Sequence, residues 1–403
     1  MRGGRGNRSC LRRLARPLFA LVLALGPPTA PALDWSEPWR IPRDAHAAAT
    51  RGDEYAWRVF VALNWPADAA GGPRGEAARS GDDGPTVWET WPTANQVYRE
   101  DGADPGPPDS WQPLGASFAR FEVMSTKEFQ NPRHIVAGVM VPLTDPVAAA
   151  ARLTEIRMNA AAYNYIRGRE LYNLDGQIKA YAAREPIEYP ADAKEIKAKW
   201  RPISEAERLR YHSVRVTLAD GTQRLYGLTA LHIASKDLPS WFWATFEHVD
   251  NPSRPESDGW RLPSRDTFGC RGLPASCNRA PRGIGLDGTI WQYYRLRGTL
   301  SGFVDSAGRP RLLANSELEA GMQETSSCIT CHSRATIGVM AGRVQRLPIF
   351  DRPEGAPAGR GPGFVGLPRA EWFAAGEAGA RPPSRYRQLD FDWSLVKAQP
   401  RAP

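Results

Sequence analysis

The sharpest chemical signal in the chain is a run of five residues, Cys328-Ile329-Thr330-Cys331-His332. On one turn of helix, positions i, i+3 and i+4 share a face. Two thiols on such a face can add across the two vinyl groups along one porphyrin edge and leave two thioether bonds. The histidine that follows then lies beneath the iron and can bind it through Nε2, provided the ring is neutral. Its Nδ1–H should donate to a backbone carbonyl, which fixes the tautomer. The spacing therefore predicts one covalent haem c on Cys328 and Cys331, with His332 as an axial iron ligand. Random placement of 5 Cys and 6 His among 403 positions yields this pentapeptide about once in a thousand chains, so composition alone does not account for it. Two other chemistries use the same residue types. A zinc site needs four ligands, and no second Cys/His pair matches this one. A thioredoxin-like redox pair should follow the strand of a βαβ unit, and no such strand precedes this motif.

The opposite side of the iron needs its own account. His248 shares a strand face with Phe242, Ala244 and Phe246, and His232 sits between Leu231 and Ile233. Each is a candidate distal ligand, and each can equally be a hydrogen-bonded core histidine. Met340 is a third candidate. On a straight helix it would lie about 12 Å beyond His332 along the axis, so it requires a chain reversal. Met322 has the same difficulty, and His46, His134 and His212 read as surface or structural residues.

Charge and cysteine usage point to export. Six arginines and no acidic residue fall within positions 1–32, and setting them aside reduces the formal charge from +8 to about +2. The basic character belongs to that segment, which argues against nucleic acid as a partner. An apolar run at 18–25 follows, then Ala30, Pro31 and Ala32, in the order of a cleaved secretory signal. The run is far shorter than the roughly 20 residues of a membrane span. The expected mature protein starts near Leu33, is periplasmic and has no span. Cys10 leaves with the signal. Of the four remaining cysteines, Cys270 and Cys277 read as a disulfide closing a small loop, with a redox-active pair as the alternative.

Positioning elements can be read around the motif. Residues 50–65 have helical spacing, and residues 154–182 read as helical with a break at Asp175 and Gly176. From 212 the period becomes two. Residues 212–218 and 223–233 form a predicted hairpin about Asp220 and Gly221, and 241–249 and 290–303 are further strands. Ser316 and Glu319 suggest a capping box opening a short helix. Beyond Leu347 the chain reads as loop, and the 14 Trp and 12 Tyr are scattered enough to be assigned to packing. The expected fold is α+β: a central antiparallel sheet with flanking helices, and a C-terminal haem-c-binding helical segment packed on it. The division runs 1–32 signal, 33–310 α+β domain, and 311–403 haem-binding segment with a loop-rich tail.

Several stretches carry a wider resemblance. They are Trp57-x-x-Phe60-x-x-Leu63-Asn64-Trp65-Pro66, Asn159-x-x-x-Tyr163-x-Tyr165-Ile166 with Leu171-Tyr172-Asn173, Leu231-His232-Ile233, the run from Trp241 through Glu247, His248 and Asp250 to Pro252, and Ser326-Ser327-Cys328. With the haem motif, they resemble secreted bacterial monohaem proteins of the cytochrome c family. The resemblance implies haem c and export and adds no substrate. Small cytochromes c place this motif near the start of a domain of about a hundred residues, whereas about 300 residues precede it here. Two functions fit. One is an electron carrier cycling Fe(III)/Fe(II) with a redox partner protein. The other is a haem-dependent oxidoreductase or small-ligand binder, acting on peroxide or oxygen at an open sixth position.

Overall fold

Why the chain builds a sheet is clearest in the strand Lys194–Pro202, where Ile196, Ala198 and Trp200 alternate with charged residues and are fully buried. The structure, a computed structural model, describes residues 33–76, 78–79, 84–107, 153–218, 221–251, 265–272, 277–319, 323, 326–340, 342–347, 367–368 and 386–402. The signal segment, Cys10, His134 and Met322 lie outside the described residues, as do Asp220 and the side chain of Met340.

Among the described residues, six antiparallel strands form the central sheet: β1 (Leu153–Met158), β2 (Lys194–Pro202), β3 (Ser213–Thr217), β4 (Gln223–Ser235), β5 (Phe242–His248) and β6 (Tyr294–Leu300). Their order is β1-β2-β4-β5-β6, with β3 paired to the first half of β4. A smaller sheet, β8-β7-β9, is made by β7 (Thr336–Met340), β8 (Arg343–Gln345) and β9 (Arg387–Gln388). Among the described residues the helices are α1 (Ala45–Thr50), α2 (Gly52–Leu63), α3 (Ala94–Val97), α4 (Ala160–Gly168), α5 (Leu174–Ala182) and α6 (Cys328–His332). Mixed helices and antiparallel strands make the fold α+β. Among the described residues no helix is long and apolar enough to cross a membrane.

Register divides the central sheet into two apolar faces. Lys197 on β2 lies opposite His232 on β4, His232 opposite Thr245 on β5, and Thr245 opposite Gly298 on β6. Residues one step away, Ile196, Ile233, Ala244 and Phe246, face the other way and pack under α2. There Phe60 stacks on Phe246 with centroids 4.3 Å apart, and Trp57 meets the same ring edge-on at 5.0 Å. The second face carries Ala234, Trp243 and Leu300. It forms one core with Tyr163 and Ile166 of α4, Ile329 of α6, Ile337 of β7, and Leu389. The segment bearing the Cys-His motif is thus built onto the sheet.

Three local expectations need correction. Residues 153–158 form β1 rather than the start of a helix. Glu155 and Arg157 look like solvent-facing helix residues, yet both are buried, paired at 2.6 Å and closed by the Trp200 indole, which donates to Glu155 at 3.1 Å. The helical break falls at 169–173, where the Asn173 side chain caps α5. Gly176 lies inside α5, because any Cβ there would come within 1.9 Å of the Glu170 carbonyl oxygen. The helix expected at Ser316 is a turn. The Ser316 hydroxyl donates to Glu247 at 2.6 Å, and the Glu319 carboxylate accepts the Asn315 N–H at 2.7 Å.

Candidate functional site

Helix α6 is a single turn, with Cys331 N–H donating to the Ser327 carbonyl at 2.9 Å and Ser333 N–H to that of Ile329 at 2.9 Å. It puts Cys328, Cys331 and His332 together while burying Ile329 and Thr330. Each of the three keeps part of its surface accessible, although protein crowds it on its other sides.

His332 Nδ1 lies 2.7 Å from the carbonyl oxygen of Phe391. A carbonyl can only accept, so Nδ1 carries the proton and Nε2 holds a free lone pair. Burial drives the ring's pKa down to about 3. Lys197 and His232 push it the same way, and the Phe391 hydrogen bond and Glu319 only partly oppose them. The ring is therefore neutral over the ordinary pH range. It lies against the Trp243 indole, with centroids 4.3 Å apart.

The two thiols are free, whereas Cys270 and Cys277 are disulfide-bonded with Cα atoms 5.4 Å apart. Burial, and then the nearby Glu319 carboxylate, push Cys331 up to about 11 and Cys328 well above the usual thiol range. A disulfide-exchange nucleophile needs the opposite shift. Among the described residues, no group of three His, Cys, Asp or Glu side chains is arranged to hold a metal ion. Two protonated thiols on one turn and a neutral imidazole with Nε2 free fit a porphyrin, which supplies four nitrogens of its own to iron.

No protein-family model matches the chain, and neither a curated protein nor a solved structure matches it.

The distal candidates separate cleanly. His232 is on the sheet face that looks toward α6, near enough for its charge to bear on His332. Its Nε2 is buried without a hydrogen bond, 3.4 Å from Glu319 Oε2. His248 is not brought to the site. It projects from the opposite face of the sheet, stacks on Tyr211 at 3.6 Å, and spends both ring nitrogens on backbone groups of Arg210 and Asp250. Met340 ends β7, in a strand rather than on a helix continued from His332, and its backbone pairs with Arg343 across the turn to β8. His212 is structural, 2.9 Å from Glu89 Oε2 and stacked on Trp291, and His46 is exposed.

Sequence reasoning missed the tail. Leu389 N–H donates to the Ala335 carbonyl at 2.8 Å, Phe391 provides the carbonyl for His332, and the Trp393 indole donates to the Cys331 carbonyl at 3.1 Å. The pattern Leu389-Asp390-Phe391-Asp392-Trp393 alternates apolar with acidic residues, a period-two signal inside a stretch read as loop.

Proposed function

We propose that this chain is an exported c-type cytochrome carrying one haem on Cys328 and Cys331, with His332 as the axial iron ligand, and that it transfers electrons to or from a redox partner protein. The observation that carries the reading is the 2.7 Å hydrogen bond from His332 Nδ1–H to Phe391. It is the outer contact that an iron-binding imidazole requires, and it joins residues 59 positions apart. When bound, haem c supplies a one-electron Fe(III)/Fe(II) couple whose potential follows axial ligation and burial.

The chain's own residues do the rest. Cys328 and Cys331 are both free, and each would add its S–H across one vinyl group. The Phe391 carbonyl holds the His332 ring in one tautomer and one orientation. Trp243 and the second sheet face exclude water from one side. His232 is the candidate for the sixth position that this geometry favours.

A second reading, a haem-dependent oxidoreductase with an open sixth position, draws on the proximity of His232 to the carboxylate of Glu319 at 3.4 Å. An imidazole and a carboxylate side by side could pass a proton to bound peroxide or oxygen.

The test is to express the full chain in a bacterium that attaches haem c in its periplasm, denature the product and weigh it. The expected mass is the polypeptide plus one haem, with pigment lost in C328S/C331S. A mass of bare amino acids rejects the reading. Carbon monoxide added to the reduced holoprotein then separates the two functions. Refusal to bind, with a low-spin spectrum, favours the carrier, and rapid binding favours the oxidoreductase.

A further inference from the structure

The tail residues that reach α6 are held in a backbone conformation that few side chains adopt. Asp392 N–H donates to the Leu389 carbonyl at 3.0 Å, closing a β-turn. Its two central residues, Asp390 and Phe391, both have positive φ, 48° and 66°. Turns of this kind strongly prefer Asn-Gly or Asp-Gly, because the second position suits glycine. A phenylalanine there persists only if the surroundings hold it.

The surroundings do so through the even-numbered residues. The Asp390 carboxylate accepts from Lys236 Nζ at 2.6 Å and from the Tyr189 N–H at 2.7 Å. Lys236 is itself fixed by the Pro239 carbonyl at 2.8 Å. The Asp392 carboxylate accepts from the Tyr189 hydroxyl at 2.5 Å and from Ser394 N–H at 2.6 Å, and Ser394 shares a hydrogen bond with the buried Tyr98 hydroxyl at 2.9 Å. The odd-numbered residues Leu389, Phe391 and Trp393 serve α6 and the residues beside it. One strand of side chains is therefore anchored at the end of β4 and on Tyr189, while its backbone and alternate side chains hold the motif.

We infer that the Asp390 and Phe391 turn, clamped by Lys236 and Tyr189, is a positioning device that fixes the His332 ring and tunes its strength as an iron ligand. The inference rests on the haem reading above. An acceptor held on Nδ1–H shifts electron density toward Nε2, which favours the higher charge on iron. Loosening the turn should therefore raise the reduction potential and free the ring.

The test compares full-length holoprotein with D390A, D390N and the double variant K236M/D390N. Asn tolerates positive φ and keeps an acceptor for Tyr189 but strips Lys236 of its carboxylate, so D390N should fall between wild type and D390A. Ala does neither. The double variant removes both charges at once and leaves none buried alone, so it serves if D390A does not fold. In D390A the relative preference for ferric iron should fall about tenfold, equivalent to about 59 mV upward in midpoint potential. The His332 Nδ1–H proton resonance should also exchange with water faster. K236M/D390N should move both readouts the same way, less far. If folded D390A and K236M/D390N both match wild type in potential and exchange, the positioning role is refuted. Absence of covalent haem from wild type would instead defeat the cytochrome reading, so the two failures are distinguishable.

Discussion

Acid should unmask His248, and the size of the effect can be worked from its surroundings. The ring is fully buried on the α2 face of the sheet, with Tyr211 stacked at 3.6 Å and Tyr294 edge-on at 5.2 Å. Its Nε2–H donates to the Arg210 carbonyl at 3.0 Å and its Nδ1 accepts the Asp250 N–H at 3.1 Å, so the neutral ring is fully satisfied. Burial lowers its pKa from 6.5 to about 4. The Arg210 carbonyl and the Asp250 carboxylate oppose this, while the Arg210 and Arg201 guanidiniums reinforce it. The unfolded ring takes up a proton near its ordinary value, and the folded ring does so only near 4. As pH falls, the unfolded state therefore binds protons first and stability declines. The contribution is complete above about 6.5 and is lost on the way down to about 4. The difference amounts to about 2 kcal/mol at pH 5 and about 3 kcal/mol at pH 4. The assay is urea unfolding of wild type and H248Q between pH 7.5 and pH 4. H248Q keeps a donor and an acceptor but cannot titrate, so it should be less stable at neutral pH and decline less steeply. Parallel curves would mean that the folded ring already carries its proton, contrary to the hydrogen-bond assignment. A changed visible spectrum in H248Q would make it an iron ligand and overturn the assignment of sheet faces.

Three further outcomes follow from other parts of the structure. E247Q should destabilise by about 3 kcal/mol in urea unfolding, since it leaves the largely buried Arg295 and Arg297 without their shared carboxylate; a loss under 1 kcal/mol would show that water compensates. Replacing both Cys270 and Cys277 by serine should cost about 2.5 kcal/mol through loop-closure entropy while the haem stain on a denaturing gel is unchanged; loss of pigment would tie this loop to the haem site. If His232 takes the sixth position, H232A should turn a holoprotein that refuses carbon monoxide into one that binds it, and an identical spectrum before and after would remove His232 from the iron.

What the amino-acid sequence makes legible here depends on how far each partner lies along the chain. The five-residue motif is local, and the neutral, Nδ1-bonded histidine follows from its chemistry alone. The hairpin of β3 and β4 was legible for the same reason. Choosing between His232 and His248 was not, although alternation correctly put His248 with Phe242, Ala244 and Phe246. Both faces of this sheet are apolar, so periodicity divides residues into two sets without saying which set meets α6. Cross-strand register supplies that answer: His232 lies opposite Thr245, which puts it with Trp243 and leaves His248 on the far side. The tail was misjudged because its order comes from partners more than 50 positions away, Lys236 and Tyr189 on one side and Cys331 and His332 on the other. Gly and Pro dominate the residues before it, and composition averaged over such a stretch hides five alternating positions. Residues 153–158 were misread for the converse reason. Two charged residues normally mark a solvent face, but Glu155 and Arg157 neutralise each other under Trp200, and burying them as a pair is possible only once β2 supplies the indole. In each case the missing information is a contact across elements, and the ring of His332 is held by one that spans 59 positions of the chain.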